Sequence, residues 1–139
     1  MQPPPGSGGR NDIFVMAADA CFECAQACRA CAEACLGEQE LGQLRNCAEM
    51  NLDCADVCFA AGDLAIRRVL LNRNLDIQGT GFDERIMELM FGTCAEACRL
   101  CGYECLHYVQ HHKCFPECAY ICRCCAQACL KALRATKRH

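Results

Sequence analysis

The sequence contains no tryptophan, and its other large aromatic residues are six phenylalanines and three tyrosines in 139 residues. Its core therefore cannot be built mainly from large aromatic side chains. No apolar run reaches the roughly 18 residues that a membrane-spanning helix needs, so we expect no transmembrane segment. The net charge of −3 argues against nucleic acid or an anionic membrane surface as the main partner.

Export signals and catalytic motifs are also missing. The first ten residues contain no apolar segment and no twin-arginine pair, so we expect a cytoplasmic protein. The sequence has no Gly-rich phosphate loop, no His-Glu-x-x-His motif and no nucleophile elbow. A redox enzyme based on Cys-x-x-Cys would need an exposed pair of low pKa in a βαβ setting, and neither is visible. We therefore expect a protein that is not an enzyme.

Cysteine is the abundant residue, with 18 copies in the chain. This is about 13 % of the residues and lies above the level that marks a cysteine-defined protein. Disulfides rarely persist in a reducing cytosol, so metal binding is the first explanation to consider.

The pattern of the chain predicts four helices and no strand. Residues 1–10, rich in Pro and Gly, are expected to be a disordered tail, and residues 11–136 to form one domain. Capping signals and apolar spacing place the helices at about 11–36, 39–72, 82–109 and 116–135. The short first and third connections favour an all-α fold, an antiparallel four-helix bundle with up-down-up-down topology.

The motif Cys-Ala-x-x-Cys occurs six times, at 24–28, 31–35, 54–58, 94–98, 118–122 and 125–129. At 100° per residue, nearly all cysteines fall on the inward face of their helices, where a bundle normally has Leu and Ile. Only Cys124 falls outside these stripes. The predicted metal ligands are the other 17, namely Cys21, Cys24, Cys28, Cys31, Cys35, Cys47, Cys54, Cys58, Cys94, Cys98, Cys101, Cys105, Cys114, Cys118, Cys122, Cys125 and Cys129.

Charge favours Cu(I) as the metal. A core filled with thiols alone would be underpacked, because a thiol is much smaller than Leu. Divalent zinc at four thiolates would leave each site at about −2, and buried uncompensated charge is costly. Monovalent Cu(I) is selected by soft thiolates and gives a neutral interior at roughly one ion per core cysteine, on the order of 15–20 ions.

Two alternatives remain open. One is a zinc or mixed-metal thiolate buffer, and the other is an iron–sulfur electron carrier. Against an iron–sulfur carrier, the sequence lacks the ferredoxin run Cys-x2-Cys-x2-Cys-x3-Cys-Pro, and a cluster would leave most of the thiols unused. A disulfide framework fits poorly, because cysteines four residues apart on one helix do not meet the torsions of a disulfide.

The chain resembles the bacterial copper storage proteins, which are cysteine-lined four-helix bundles. The resemblance covers residues 12–135 and depends on the repeated Cys-Ala-x-x-Cys units, the Cys-Gly-Tyr-Glu-Cys step at 101–105 and the His-rich turn before Cys114. It implies storage of many Cu(I) ions and a homotetramer, and the missing export signal places the chain near the cytosolic branch. Release is expected to need a competing ligand or a copper chaperone.

The two ends of the predicted bundle differ. One end holds Cys35, Cys47, Cys105 and Cys114, and it also holds the three histidines that we predict to carry copper in and out, namely His107, His111 and His112. The other end is expected to be an apolar plug made of Phe14, Ala17, Ala65, Val69, Met87, Met90 and Ala132. Asn51 is expected to face inward in a sparse region of the second helix, beside Met50. The sequence leaves open whether Met50, Met87 or Met90 contacts copper.

Overall fold

The computed structural model describes residues 9–37, 41–75, 84–110 and 112–136. These residues form four helices, α1 (Gly9–Leu36), α2 (Leu41–Leu75), α3 (Arg85–Leu106) and α4 (Cys114–Thr136). The prediction of an all-α fold is confirmed, since no strand occurs in the described residues. Residues 1–8 of the expected tail, and the predicted helical residues 39–40 and 82–83, lie outside the described part of the chain.

The helices pack as an antiparallel bundle in chain order. α1 packs against α2 and α4, and α3 packs against the same two helices. Along α1, Cys21 contacts Cys129 of α4 at 3.6 Å, and the later Cys28 contacts the earlier Cys118 at 3.8 Å, so α1 and α4 are antiparallel. In the same way Cys54 of α2 contacts Cys98 of α3 and the later Cys58 contacts the earlier Cys94, whereas α1 and α3 are parallel, since Cys21 contacts Cys94 and Cys28 contacts Cys101. Consecutive helices therefore run in opposite directions, and the four cysteine stripes meet on the bundle axis.

The connection between α3 and α4 differs from the prediction. The third helix was expected to reach residue 109, but α3 ends at Leu106. The N–H of His107 donates to the carbonyl of Glu104 at 3.0 Å, and that of Tyr108 to Cys105 at 3.1 Å. These bonds span three residues rather than four and tighten the chain into a turn. α4 in turn begins two residues before Pro116, at Cys114.

The end of the bundle away from this turn is closed by apolar side chains. Phe14 and Phe91 are buried with their ring centroids 5.8 Å apart, and Val69 and Met87 are buried beside them in the same core cluster. The predicted plug is thus present, with one correction: Met90 is only half-buried, at the edge of the cluster.

The prediction overlooked Phe91, although its position three residues before Cys94 puts it on the cysteine stripe of α3. A phenylalanine fills the space that a thiol would leave, so the inward stripe of α3 changes from cysteine to an apolar packing residue at this position. An ion pair between Arg10 and Glu84 joins the start of α1 to the residue before α3.

α2 continues without a break through Gly62. A Cβ atom built at this glycine would lie 2.6 Å from the Phe22 ring of α1, which is well inside van der Waals contact. The glycine therefore allows the aromatic ring to pack directly on the α2 backbone.

None of the described helices is long and apolar enough to cross a bilayer.

Candidate metal centre

The burial of the cysteines in the bundle follows the helical-wheel prediction. Sixteen are buried, Cys114 is half-buried and Cys124 is exposed, and all 18 are free thiols. The inward placement of the 17 candidate ligands is therefore confirmed. Their role as metal ligands remains a prediction.

Twelve thiols form one continuous network, which we call the deep chamber. Its Sγ atoms contact one another at 3.5–3.9 Å. The members are Cys21, Cys24, Cys28, Cys54, Cys58, Cys94, Cys98, Cys101, Cys118, Cys122, Cys125 and Cys129. All four helices contribute, so the chamber runs along the axis from the apolar plug towards the α3–α4 turn.

The deep chamber contains overlapping groups of four thiols. In five such groups all four Sγ atoms lie within 4.8 Å of one another, and together these groups use the same twelve cysteines. Cys24 and Cys54 share two groups, and Cys58 and Cys98 likewise share two. Eight of the twelve sulfurs belong to two of these five groups and are thus placed to serve neighbouring metal ions, which is the arrangement that bridging thiolates require.

The remaining five inward thiols form a second set at the end with the turn, which we call the mouth set. Its members are Cys31, Cys35, Cys47, Cys105 and Cys114. The Sγ atoms of Cys31 and Cys114 lie 3.2 Å apart. Cys114 lies only two residues before Pro116 in the sequence. The structure places its thiol inside the mouth, since α4 already begins at this residue.

Asn51 lies between the two sets and is completely buried. Its Oδ1 accepts hydrogen bonds from Cys101 at 3.0 Å, Cys118 at 3.4 Å and Cys105 at 3.7 Å. Its Nδ2 donates to the Sγ atom of Cys47 at 3.7 Å. The amide is therefore satisfied entirely by thiols, which offsets the cost of burying it.

The mouth thiols differ in acidity. Burial raises the pKa of Cys35 to about 12, because a thiolate loses its hydration there. Burial also raises the pKa of Cys114. The hydrogen bond with Cys105 lowers the pKa of Cys47 to about 4. The mouth thus combines thiols that stay protonated at neutral pH with one that favours the thiolate, the form that binds metal.

The two described histidines make different contacts. The Nδ1 of His107 lies 3.0 Å from the carbonyl oxygen of Tyr103, to which it donates, so Nε2 keeps its lone pair for a metal. The Nδ1 of His112 instead accepts a hydrogen bond from the backbone N–H of Cys114 at 3.0 Å. This leaves the proton of the neutral ring on Nε2. Both rings are exposed, and His111 lies outside the described residues.

This difference between the histidines was not predicted. Their spacing in the sequence suggested one group of equivalent residues. The role of His112 depends on where α4 begins, because its ring partners the first N–H of that helix.

The methionines are placed mainly by packing. The Nε of Arg68 donates to the Sδ atom of Met87 at 3.2 Å, which occupies that thioether within the apolar plug. Met50 and Met90 are half-buried against the core. The structure assigns none of the three to the thiol network.

A four-helix bundle whose axis is lined by free, overlapping thiols is the architecture of a multinuclear metal-thiolate protein. The family model described as copper storage protein (Csp) matches residues 11–134. The chain belongs to the copper storage protein family.

Solved structures with clear sequence similarity share the fold. A cytosolic copper storage protein from Streptomyces lividans, described with five coppers, is 34% identical, with a TM-score of 0.79 over 91% of this chain and 97% of that chain. The S. lividans protein Ccsp loaded with 10 copper equivalents is 33% identical, with a TM-score of 0.78 over 96% of this chain and 94% of that chain.

A variant of that protein with two histidines replaced by alanine also matches. It is 33% identical, with a TM-score of 0.76 over 89% of this chain and 95% of that chain. No match is found among curated protein sequences.

Proposed function

We propose that this chain stores Cu(I) in the cytosol, with the 17 inward cysteines as ligands and roughly one copper per ligand. The overlap of the four-thiol groups is the observation that carries the proposal. When each thiolate bridges two monovalent ions, the number of ions approaches the number of sulfurs and the interior stays close to neutral. The solved relatives from S. lividans, which hold several coppers on the same fold, support this choice of metal.

Zinc is the competing cargo. A tetrahedral zinc site with Zn–S bonds of about 2.3 Å has sulfurs about 3.8 Å apart, so a single group of the chamber would accept zinc. Filling neighbouring groups that share ligands is harder, because closed zinc sites normally have four ligands of their own. The sharing of Cys24, Cys54, Cys58 and Cys98 between groups therefore favours copper.

An anaerobic titration separates the candidates. The reduced protein is titrated with Cu(I) in the presence of a chromophoric Cu(I) chelator. We expect about 15–20 ions per chain to be bound before the chelate absorbs. A capacity of about four zinc ions with weak binding of Cu(I), or a brown iron–sulfur chromophore in the isolated protein, would contradict the proposal.

Copper is proposed to enter and leave at the mouth set. Of the two described histidines, His107 is the better placed, since its Nε2 is available on the exposed rim. His112 supports this end by partnering α4. The opposite end is packed with Phe14 and Phe91 and offers no comparable ligands among the described residues.

The protein is proposed to act without catalysis, to exchange copper with a chaperone or a competing ligand, and to assemble as a homotetramer. The copper-binding unit is assigned to residues 11–136.

The proposed homotetramer would bury side chains that are exposed on the single chain. Tyr103, Leu106 and Tyr120 are 63%, 58% and 60% exposed, and their burial between subunits would support assembly. Light scattering of the purified full chain tests this. A monomer at micromolar concentration would contradict it.

A further inference from the structure

The mouth of the bundle holds a close pair of thiols that come from two different helices. The Sγ atoms of Cys31 in α1 and Cys114 in α4 lie 3.2 Å apart, which is closer than the 3.5–3.9 Å between thiols of the deep chamber. A disulfide has an S–S distance of about 2.05 Å, so the two sulfurs need to approach by only about 1 Å. Cysteines four residues apart on one helix lack this option, because their side chains point the same way.

Solvent reaches one sulfur of this pair and not the other. Cys114 is half-buried, whereas Cys31 is completely buried. Cys114 is also the first residue of α4, and its backbone N–H bonds to the Nδ1 of His112 instead of to a preceding helical turn. A residue at this position is less constrained than one in the helix interior, so its side chain has freedom to move towards α1. A dissolved oxidant therefore meets Cys114 first and finds Cys31 directly behind it.

We propose that Cys114 and Cys31 form a peroxide-reactive pair in the metal-free protein, and that their reversible disulfide closes the mouth and protects the empty thiol core from irreversible oxidation. An accessible cysteine with a second thiol beside it is the arrangement that ends in a disulfide instead of in sulfinic or sulfonic acid. The pair is available only without copper, because both sulfurs are proposed ligands in the loaded protein.

The oxidant is hydrogen peroxide, and the reaction has two steps. The Cys114 sulfur attacks one peroxide oxygen and the O–O bond breaks, so the thiol becomes a sulfenic acid and the second oxygen leaves as water with the thiol proton. The Cys31 sulfur then attacks the Cys114 sulfur, the S–O bond breaks, and another water leaves with the Cys31 proton. Two thiols are thus oxidised by two electrons in all, and one peroxide is reduced to two water molecules. A dithiol reductant reverses the bond, which keeps it transient in a reducing cytosol.

The disulfide has a direct consequence for copper uptake. It ties the first residue of α4 to the inner face of α1, across the mouth. The other three thiols of the mouth set, Cys35, Cys47 and Cys105, are buried behind it. We therefore expect uptake to slow while the bond persists and to recover once it is reduced. This kinetic effect rests on the proposed entry of copper at the mouth, whereas formation of the bond does not.

Peptide mapping of the metal-free, full-length protein tests the pair. The reduced protein is treated anaerobically with equimolar hydrogen peroxide, its remaining thiols are alkylated, and it is digested without reductant. We expect the main intramolecular product to link the peptides of Cys31 and Cys114, with the loss of two hydrogen atoms, and a dithiol reductant to restore both thiols. Absence of this link, or a main link between other cysteines, would overturn the proposal.

Two serine variants in α1 test the role of Cys31. Cys31→Ser lacks the second thiol of the pair, so with excess peroxide Cys114 is expected to accumulate as the sulfinic acid, which a dithiol does not reduce. Cys35→Ser is the matched control, because it removes a buried mouth thiol one helical turn further along α1 and leaves the pair intact. Recovery of a free Cys114 thiol in Cys31→Ser, to the same extent as in Cys35→Ser, would overturn the protective role.

The rate of Cu(I) uptake reports closure of the mouth separately. We expect peroxide treatment to slow the initial transfer of Cu(I) from a chelator by roughly tenfold, and reduction to restore it. The same slowing is expected in Cys124→Ser, which lacks the exposed cysteine outside the bundle axis. A mapped disulfide with an unchanged uptake rate would overturn closure of the mouth. If the reduced protein takes up no copper at all, the proposed storage is wrong, and the peptide map still decides whether the pair exists.

Discussion

The thiol of Cys114 lies 3.2 Å from that of Cys31, which joins the first residue of α4 to the inner face of α1 at the mouth of the bundle. Cys114 is half-buried, whereas Cys31 is completely buried. The pair therefore links the partly exposed mouth to the core. An ion bound by both thiols would have one partly exposed ligand and one fully buried ligand.

Replacing Cys114 by serine is expected to slow copper uptake more than it lowers capacity. The variant loses the outer ligand of the pair, so the step from solvent to Cys31 lacks its intermediate. We expect the initial rate of Cu(I) transfer from a chelator to fall on the order of fivefold, with a loss of about one ion per chain. Stopped-flow absorbance measures the rate. An unchanged rate would mean that copper reaches the core by another path.

His107 and His112 are expected to respond differently to alanine. His107→Ala removes a free Nε2 ligand and should slow uptake by about two- to tenfold, with the capacity unchanged. His112→Ala should mainly destabilise the start of α4, by about 0.5–2 kcal/mol, because the N–H of Cys114 loses its partner.

His112→Asn provides the control for this comparison, since an asparagine side chain bonds the N–H two residues ahead and restores that contact. Uptake rates and thermal melts of the three variants separate the roles. Equal slowing by both alanine variants, with unaltered melting temperatures, would show that the two histidines are equivalent ligands.

The adjacent residues Cys124 and Cys125 provide a direct test of the inward assignment. Cys124 is exposed, whereas Cys125 is buried and contacts Cys21 at 3.9 Å. Cys124→Ser is expected to leave copper capacity and release unchanged. Cys125→Ser should lower capacity by about one ion per chain, because a bridging thiolate is lost. Capacity is measured by anaerobic titration, and a loss in the Cys124 variant would place that residue among the ligands.

Helical periodicity was sufficient to predict the bundle and to separate Cys124 from its neighbours, since both depend on positions within one helix. Contacts between helices were not predictable in this way. The contacts of Asn51 with Cys101, Cys105 and Cys118 depend on how α2, α3 and α4 are shifted along the axis. The wheel showed that Asn51 faces inward, but it could not show which thiols surround it.

The end of α3 illustrates a second limit. The apolar pattern continues to Val109, yet the chain leaves the helix after Leu106. Terminal turns depend on a few local hydrogen bonds, whose strengths are too similar for a sequence pattern to choose between them. The same uncertainty concealed the contact between His112 and Cys114, because that contact exists only if α4 begins at Cys114.

The metal-free protein is expected to lose stability at alkaline pH. The pKa of Cys35 is raised from 9.0 to about 12 by burial. The folded state therefore binds more protons than the unfolded state between these values, so this contribution is complete below pH 9.0 and is lost as the pH rises towards 12. Melting temperatures of the reduced protein between pH 7 and 11 measure the effect.

Copper loading is expected to weaken this alkaline dependence of the melting temperature. Each Cu(I) displaces a thiol proton, so loading should acidify a weakly buffered solution, and binding should weaken as the pH falls. The loaded protein has few thiol protons left to lose, and its melting temperature should vary less between pH 9 and 11. Equal alkaline sensitivity of both forms would indicate that Cys35 and its neighbours stay protonated when copper is bound.

Two glycines in helix interiors are expected to respond in opposite ways to alanine. Gly92 in α3 has open space around a built Cβ, so Gly92→Ala should stabilise the metal-free protein by about 0.5–1 kcal/mol through the helix propensity of alanine. At Gly62 the same Cβ would meet the Phe22 ring at 2.6 Å. The ring must move away from α2, and overpacking of this kind costs about 1–3 kcal/mol, which exceeds the gain in propensity. Denaturant unfolding of the reduced variants measures both changes. A stabilised Gly62→Ala protein would show that the Phe22 ring is free to turn aside and that α1 and α2 do not depend on this close approach.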